Sequence, residues 1–242
     1  MSVLLNKHSL NVHEFAAQEE SRYTLRAIHV TEQETVATNG HYLVRVSHPT
    51  EKPENFPTVE GFRNGAAFKP FLFAVDAVKQ LLKALPKGKT VKSLPILAHA
   101  CVGHYEENGE SKPNISVTDL ENQQVVTPKT VPGQFPNWQA VIPTAAPKFE
   151  IYVSAEYLAQ LARSAAQFSD CEMPVIRLQF TDANSAIRID ARNNETGQGF
   201  TGVVMPVRAD RQMVCNAGNY PDHISKPKPP ETVKPEEETG TE

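Results

Sequence analysis

The sequence predicts the same order of elements three times, a strand, then a helix, then further strands, and no other feature restricts the fold as much. In the first block, residues 1 to about 50, the strand "VLLN" precedes the helical stretch "NVHEFAAQEE" and the strand-like segments "YTLRAIHV" and "TVATNGHYLVRVS". These segments are β-branched or alternate between apolar and polar residues, as strands do. Within the last one, Asn39-Gly40 separates two apolar runs and predicts a tight hairpin turn.

The second and third blocks repeat this order. After a Pro-, Gly- and Asn-rich linker at about 50–66, the strand "AAFKPFLFA" leads into the helix "VDAVKQLLKALPKGK" and the strands "SLPILAHACVGHY", "ISVTDL" and "QQVVTPK". A polar turn is predicted around "EENGESKPN". The third block has the strand "FEIYVS", the helix "AEYLAQLARSAAQF" and the strands "PVIRLQFTD", "SAIRIDAR" and "FTGVVMPVR". The apolar face of its helix is expected to carry Tyr157, Leu158, Leu161, Ala165 and Phe168.

These blocks predict a domain of two blocks at 1–145, a third block at 146–208 and a disordered tail at 209–242. The tail, which ends in "SKPKPPETVKPEEETGTE", has almost no apolar residues to offset its ordering entropy. A net charge of -4 argues against a protein that coats nucleic acid with its whole surface, although a local basic face is allowed. No stretch approaches the roughly 18 apolar residues of a membrane span, and a signal peptide is not apparent, so we expect a cytoplasmic protein.

Sequence patterns of catalysis and metal binding are weak. The three cysteines, Cys101, Cys171 and Cys215, are widely spaced without a CxxC pair, which indicates neither a disulfide framework nor a zinc site. The eight histidines form no HxxxH pair, and no GxGxxG, P-loop or GxSxG motif is present. Asp170, Glu172 and Asp182 have no spacing that predicts an acid/base pair. We therefore expect no enzyme activity, no metal and no cofactor.

Four stretches resemble, in the same order, motifs of the bacterial DNA sliding clamp, the β subunit of the replicative polymerase. "YTLRAIHVTEQETVATNGHYLVRVS" is similar to the segment with the ATDGHRL motif, and "DAVKQLLKALPKG" to an inner helix that ends in Leu-Pro-Gly. "GQFPNWQAVIP" resembles a G-x-FP element, and "FTGVVMPVR" the carboxyl-terminal VVMPMR strand. The resemblance implies an α+β, DNA-clamp-like fold of repeated β-α-β-β-β modules with helices on one side of curved antiparallel sheets. The three blocks match that module.

The resemblance also implies an apolar groove for short peptide motifs of polymerases and other partners. Carried over by position, its residues are Thr38, Gly40, His41, Tyr42, Leu43, Pro136, Ala140, Val141, Val204, Met205, Pro206, Val207 and Arg208. Apolar walls and an adaptable Met suit an extended peptide. Each aliphatic residue alone is as consistent with a core position. The sequence departs from the family at Asn39, Tyr42 and Ala140, so its peptide preference is expected to differ.

Clamps line their hole with cations that contact phosphates without reading bases. Here the resemblance assigns this role to Lys79, Lys83 and Arg163. The alternative interpretation is that these residues belong to ordinary solvated helix faces. A bacterial clamp has six modules per chain and closes as a dimer, whereas three are predicted here, so a twelve-module ring needs four chains. We therefore expect a homo-oligomer, because an odd module leaves a sheet edge to pair.

Two interpretations of function follow from the resemblance. The first is a clamp-like processivity factor that encircles duplex DNA and binds partner peptides. The second is a clamp-fold adaptor or competitor that binds such peptides without encircling DNA. An enzyme or an unrelated binding module is the third alternative.

Overall fold

A computed structural model describes residues 2–143, 145–168 and 172–207 of the chain. The chain divides into two compact units, Met1–Val141 and Ile142–Glu242, called unit 1 and unit 2 below. Unit 1 contains the first two predicted blocks and unit 2 the third. Arg208, Asp170, two of the cysteines and the predicted tail lie outside the described residues. Among those described, no helix has the length and apolar character that crossing a bilayer requires.

Unit 1 contains two four-stranded antiparallel sheets, of order β4-β3-β2-β5 and β1-β6-β7-β8. The strands are β1 (Val3–Leu5), β2 (Ala27–Val30), β3 (Glu34–Thr38), β4 (Leu43–Ser47), β5 (Phe71–Ala74), β6 (Ala100–Glu107), β7 (Glu110–Thr118) and β8 (Gln123–Val126). The α-helices are α1 (Lys7–Asn11), α2 (Val75–Ala84) and α3 (Lys89–Ser93), and short 3-10 helices lie at Val12–Phe15, Glu20–Arg26, Pro53–Asn55, Pro95–Ala98 and Trp138–Val141. This composition confirms the predicted α+β class.

The two modules of unit 1 exchange their first strands. β1, which begins the first module, pairs with β6 of the second, with Leu4 opposite Cys101. β5, which begins the second module, pairs with β2 of the first, with Leu72 opposite His29. Each sheet therefore takes three strands from one module and one from the other, so neither module completes its sheet alone.

The main core lies between the helices and one face of the two sheets. Alternate strand residues point into it, as the two-residue period of a strand requires. Its fully buried members include Leu5, Ile28, Val30, Val78 and Val102. Burying a side chain of this size contributes roughly 1.5–3 kcal/mol before entropy is counted. α1 and α2 contact each other on this side, so both helices lie on the same side of the sheets.

The opposite faces of the two sheets are covered by Phe-Pro segments. Residues 50–66, predicted as a linker, bury Phe56 and Val59 against Leu4 and Cys101. The equivalent segment after the second module places Phe135 on His29, with ring centroids 5.0 Å apart. Each segment thus crosses to the sheet of the other module, and the linker has a packing role besides its connecting one.

Unit 2 is built from α4 (Ala155–Ala166) and a three-stranded antiparallel sheet of order β11-β10-β9. The strands are β9 (Arg177–Gln179), β10 (Ile187–Arg192) and β11 (Gly199–Val204). Its core comprises Ala165, Ile187, Ile189 and Val204, with Ile151, Val153, Leu158, Leu161, Ile176, Ala191 and Phe200 partly buried around them. Tyr157 was predicted to lie on the apolar face of α4, but it is 63% exposed.

Several local predictions differ from the structure. The first α-helix, Lys7–Asn11, begins before the predicted helical stretch "NVHEFAAQEE", which instead contains the 3-10 helix Val12–Phe15. The Asn6 side chain caps the α-helix by accepting from the N–H groups of His8 and Ser9. The polar turn in the second module is restricted to Asn108 and Gly109, both of which have positive φ. "FEIYVS" forms no strand among the described residues.

Burial makes the Cys101 thiol chemically inert. Burial raises the pKa of this thiol to about 11, and the thiolate is the reactive form. In a Cys171→Ser/Cys215→Ser variant we expect Cys101 to react with an aromatic disulfide reagent at about pH 8 roughly 100-fold more slowly in the native protein than in denaturant. Absorbance stopped-flow measures both rates. Equal rates would contradict the buried position.

Candidate functional site

The predicted Asn39-Gly40 turn spans four residues between β3 and β4, and only Gly40 of the pair takes a positive φ, of 93°. The Thr38 hydroxyl donates to the Tyr42 carbonyl at 2.7 Å and accepts from the Gly40 N–H at 3.1 Å. The Asn39 side-chain oxygen accepts from the N–H groups of His41 and Tyr42. These bonds hold the His41 and Tyr42 side chains in exposed positions at the tip of the hairpin.

The same turn occurs at the equivalent place in the second module. The Thr118 hydroxyl donates to the Asn122 carbonyl and accepts from the Leu120 N–H, both at 2.9 Å. Asp119 accepts from the N–H groups of Glu121 and Asn122, and the bond from the Asn122 N–H is the largest cause of its lowered pKa. The Thr-Asn pair of the motif is therefore required by the fold, and partner binding is not needed to explain it.

A cation lies at the first turn although the motif arginine is replaced by Tyr42. Arg22, in the 3-10 helix before β2, donates from Nη1 to the Asn39 carbonyl at 2.7 Å. The Tyr42 ring contacts Phe15 edge to face, with centroids 5.8 Å apart. Sequence reasoning missed Arg22, because only the folded chain brings a residue 17 positions away to this turn.

The predicted groove residues of the hairpin turn and of the G-x-FP element lie at the β4 side of unit 1. Leu43 shares a face of β4 with Arg45, whose guanidinium lies 5.8 Å from the centroid of the Trp138 ring. Trp138 is buried, whereas Pro136, Ala140 and Val141 are exposed around it. Thr38 is buried, so it acts through the turn rather than as a contact surface.

A pocket of about 540 Å³ lies in unit 2 between α4 and the end of β11. Its lining residues are Tyr157, Gln160, Leu161, Ser164, Phe200, Val203, Val204, Met205, Pro206 and Val207. The stretch 204–207, predicted from the resemblance, thus lies entirely in this pocket. Val204 is also part of the core at 3% exposure, whereas Met205 is 67% exposed and leaves its side chain available to a ligand.

Two packing features shape this pocket. Gly202 is buried, and a Cβ at this position would lie 3.0 Å from Leu161 Cδ2, so glycine allows α4 to approach β11 closely. The N–H of Val207 donates to the Tyr152 carbonyl at 2.8 Å, which fixes the chain beyond β11. The pocket wall is therefore fixed by the close packing of Leu161 on Gly202 at one end and by this backbone hydrogen bond at the other.

The helix side of the pocket was not predicted. Its residues on α4 are Tyr157, Gln160, Leu161 and Ser164, which follow the i, i+3, i+4, i+7 spacing of one helix face. This spacing is present in the sequence, but a search for apolar periodicity does not find it, because Gln160 and Ser164 are polar. The mixture of apolar walls with a few polar groups is typical of ligand pockets, and the volume lies in their usual range of roughly 300–1,000 Å³.

The predicted DNA-facing residues are exposed on helices of both units. Lys79 and Lys83 lie on the face of α2 opposite the buried Val78 and Leu81. Arg163 is exposed on α4, where its Nε donates to the Ala159 carbonyl at 3.2 Å. Lys7 on α1 was missed because the first helix was predicted too late in the chain; it is exposed, and α1 contacts α2. Within the described residues no cluster of His, Cys, Asp and Glu could hold a metal ion.

Solved structures with similar folds include bacterial sliding clamps. The DNA polymerase III subunit beta of Pseudomonas aeruginosa aligns over 85% of this chain and 51% of its own, with a TM-score of 0.56 and 18% identity. The beta sliding clamp of C. crescentus aligns over 85% of this chain and 50% of its own, with a TM-score of 0.55 and 15% identity. The DNA polymerase III subunit beta of Borrelia burgdorferi was solved in complex with a natural product. It aligns over 87% of this chain and 50% of its own, with a TM-score of 0.52 and 16% identity.

The likeness at these identities concerns the fold, and it confirms the predicted clamp-like fold. The chain spans about half the length of each of these clamps. No family model matches the sequence, and no curated protein matches it.

The repeated turn leads to a matched pair of substitutions. Thr38→Val and Thr118→Val each remove a buried hydroxyl with two hydrogen bonds, so we expect each to lower the free energy of unfolding by about 1–2 kcal/mol. Thr58→Val, at an exposed position, should change it by less than about 0.5 kcal/mol. Urea unfolding followed by circular dichroism measures all three. A loss at Thr38 alone would contradict an equivalent role for the two turns.

Proposed function

We propose that this protein is a clamp-like processivity factor without catalytic activity. In this proposal copies of the chain associate around duplex DNA without reading its sequence. A DNA polymerase or another partner is held to the assembly by a short peptide bound in an apolar groove.

The observation that carries the proposal is the pocket in unit 2. The stretch 204–207 was assigned to a groove from its sequence resemblance alone, and it lines this pocket. The proposed ligand is an extended peptide with a Gln and two or three large apolar residues. Its apolar side chains would contact Leu161, Phe200 and Met205, while Gln160 and Ser164 offer polar groups to orient it.

We also assign peptide contact to the predicted groove residues at the β4 side of unit 1, as a surface of that unit. Leu43, Pro136, Ala140 and Val141 would form its apolar part, and His41 and Tyr42 would tune peptide preference at its rim. Arg22 supports the assignment because it supplies a guanidinium at the turn, where the motif of the family has an arginine.

DNA contact is assigned to the helix surfaces. Lys79 and Lys83 are four residues apart on an exposed helix face, an arrangement that suits successive contacts with phosphates. Arg163 is proposed to add a contact from unit 2. Because the chain spans about half of each similar clamp, four copies would supply the twelve modules of a ring.

A clamp-fold adaptor or competitor is the second candidate function. It is favoured by the fact that the pocket is built from residues of unit 2 alone, so that peptide binding requires neither a ring nor DNA. Both candidates share the groove, and DNA retention distinguishes them.

Peptide binding can be tested at the exposed methionine of the pocket. A clamp-partner peptide should bind the wild-type protein with roughly micromolar affinity, as a small interface with few anchors allows. Met205→Ala removes a wall of the pocket and should weaken binding by about 1–2 kcal/mol in calorimetry. Met173→Ala is the matched control, because Met173 is 72% exposed in the same unit and does not line the pocket. No binding to the wild type, or equal binding to both variants, would refute the groove.

Encirclement of DNA can be tested by charge reversal. Replacing Lys79, Lys83 and Arg163 by Glu should abolish retention on closed circular DNA and reduce the slope of log K against log salt by about 0.9 for each lost phosphate contact. The control changes Lys52, Lys129 and Lys148 to Glu, which alters the net charge equally at exposed positions outside the helices. Retention of the first variant at wild-type levels would refute the assignment. If the wild type binds the peptide but is not retained, the adaptor is favoured.

A further inference from the structure

The sheet of unit 2 has an open apolar edge. β9 pairs with β10 on one side, and no strand of the described residues pairs with its other side. Leu178, which lies opposite the buried Ile189, is 43% exposed, and Phe180 just beyond the strand is 48% exposed. Their counterparts on β2 of unit 1, Ile28 and Val30, are fully buried. An edge of this kind is a template for a further strand.

Unit 1 identifies the kind of strand that covers such an edge. In both of its modules, the second strand pairs antiparallel with the first strand of another module. In each case that first strand is the apolar segment immediately before a helix. Unit 2 has such a segment at residues 149–153, directly before the α4 N-cap Ser154, and this segment belongs to no strand among the described residues.

We propose that two copies of this chain exchange these segments, so that residues 149–153 of each copy pair antiparallel with β9 of the other. The product is a complete two-module domain like unit 1, with an exact two-fold axis. Each copy gives one strand and receives one, so the pairing closes at two chains and leaves no free β9 edge. The inference rests on the proposed function only for the expectation that copies associate.

The exchange keeps the core contacts that the segment already makes, and it replaces the contact between Phe149 and Phe180 of the same chain, whose ring centroids lie 6.4 Å apart. Ile151 and Val153 pack against the core of their own unit. In unit 1, Val3, Leu5 and Phe73 hold the corresponding positions, and they lie in the shared core while their backbones pair with the other module. The segment can therefore keep its own core contacts and pair with a second copy at the same time.

The register follows from the helix caps. Leu4, Leu72 and Tyr152 each lie two residues before an N-cap, and the first two pair with Cys101 and His29 on the face away from the helices. Tyr152 should therefore pair with a residue of β9 on that same face, Gln179 or Arg177. This register places Ile151 and Val153 opposite the core-facing residues of β9.

The first test is a charge on the open edge. Sedimentation equilibrium at tens of micromolar should show that Leu178→Lys has half the assembly mass of the wild type. Leu94→Lys is the matched control, because Leu94 is 46% exposed in unit 1, and it should keep the wild-type mass. A monomeric wild type, or a Leu178→Lys protein with the wild-type mass, would overturn the proposal. Peptide calorimetry on the same variant reports the groove separately, so failure of one proposal is distinguishable from failure of the other.

A cross-link keeps the proposal testable if Leu178→Lys does not fold. In a Cys171→Ser/Cys215→Ser background, Tyr152→Cys is combined with Gln179→Cys in one protein and with Arg177→Cys in a second. Mild oxidation should join two chains by disulfides in one of the two proteins, as seen in non-reducing electrophoresis. The single Tyr152→Cys variant is the control for random pairing. If both double variants give only monomers, the exchange is wrong.

Discussion

Backbone pairing of β5 with β2, and of β1 with β6, is the interaction on which the rest of unit 1 depends. A three-stranded module exposes the N–H and C=O groups of its second strand along one edge, together with apolar side chains of that strand. The exchanged strand satisfies these groups and buries Ile28 and Val30 completely. Because both modules make the same exchange, the two sheets and the two helices close around a single core. The Phe-Pro segments then cover the outer faces of the sheets formed in this way.

The repetition of structural features within unit 1 separates what the fold requires from what a partner requires. The Thr-Asx turn occurs in both modules with the same hydrogen bonds, and the Phe-Pro segments bury Phe56 and Phe135 in the same manner. Residues that serve a partner are therefore expected where the two modules differ. At the tip of the turn, His41 and Tyr42 stand where the second module has Glu121 and Asn122. The first turn thus presents an imidazole and an aromatic ring, and the second presents polar side chains. A peptide groove at the first turn would require this difference.

Local sequence patterns predicted the elements that depend on local contacts. The apolar spacing of α2 and α4 and the strands around the turn were identified from periodicity, because each buries one face. The position of α1 was not predicted, because a five-residue helix gives almost no periodic signal. Its main sequence signal is the N-cap residue Asn6. The strand character of "FEIYVS" was predicted from its residues, but a strand also requires a neighbouring strand. Among the described residues the segment pairs with no strand, although its Tyr152 carbonyl accepts from the Val207 N–H. The helix side of the pocket depends on how α4 packs on Gly202, which only the fold determines.

Under the proposed exchange, the two units differ in how they obtain a partner for their edge strands. In unit 1 the second module is tethered to the first by the chain, so its first strand is present at a high effective concentration whatever the protein concentration. A second copy of unit 2 must be found in solution, and the burial of Leu178 and Phe180, roughly 1.5–3 kcal/mol each at full burial, has to offset the lost translational freedom. Under this proposal, mass action would couple the stability of unit 2 to the concentration of the chain, while unit 1 would remain independent of it. A chain that spans about half the length of the similar clamps can in this way build by association the paired modules that unit 1 builds within one chain.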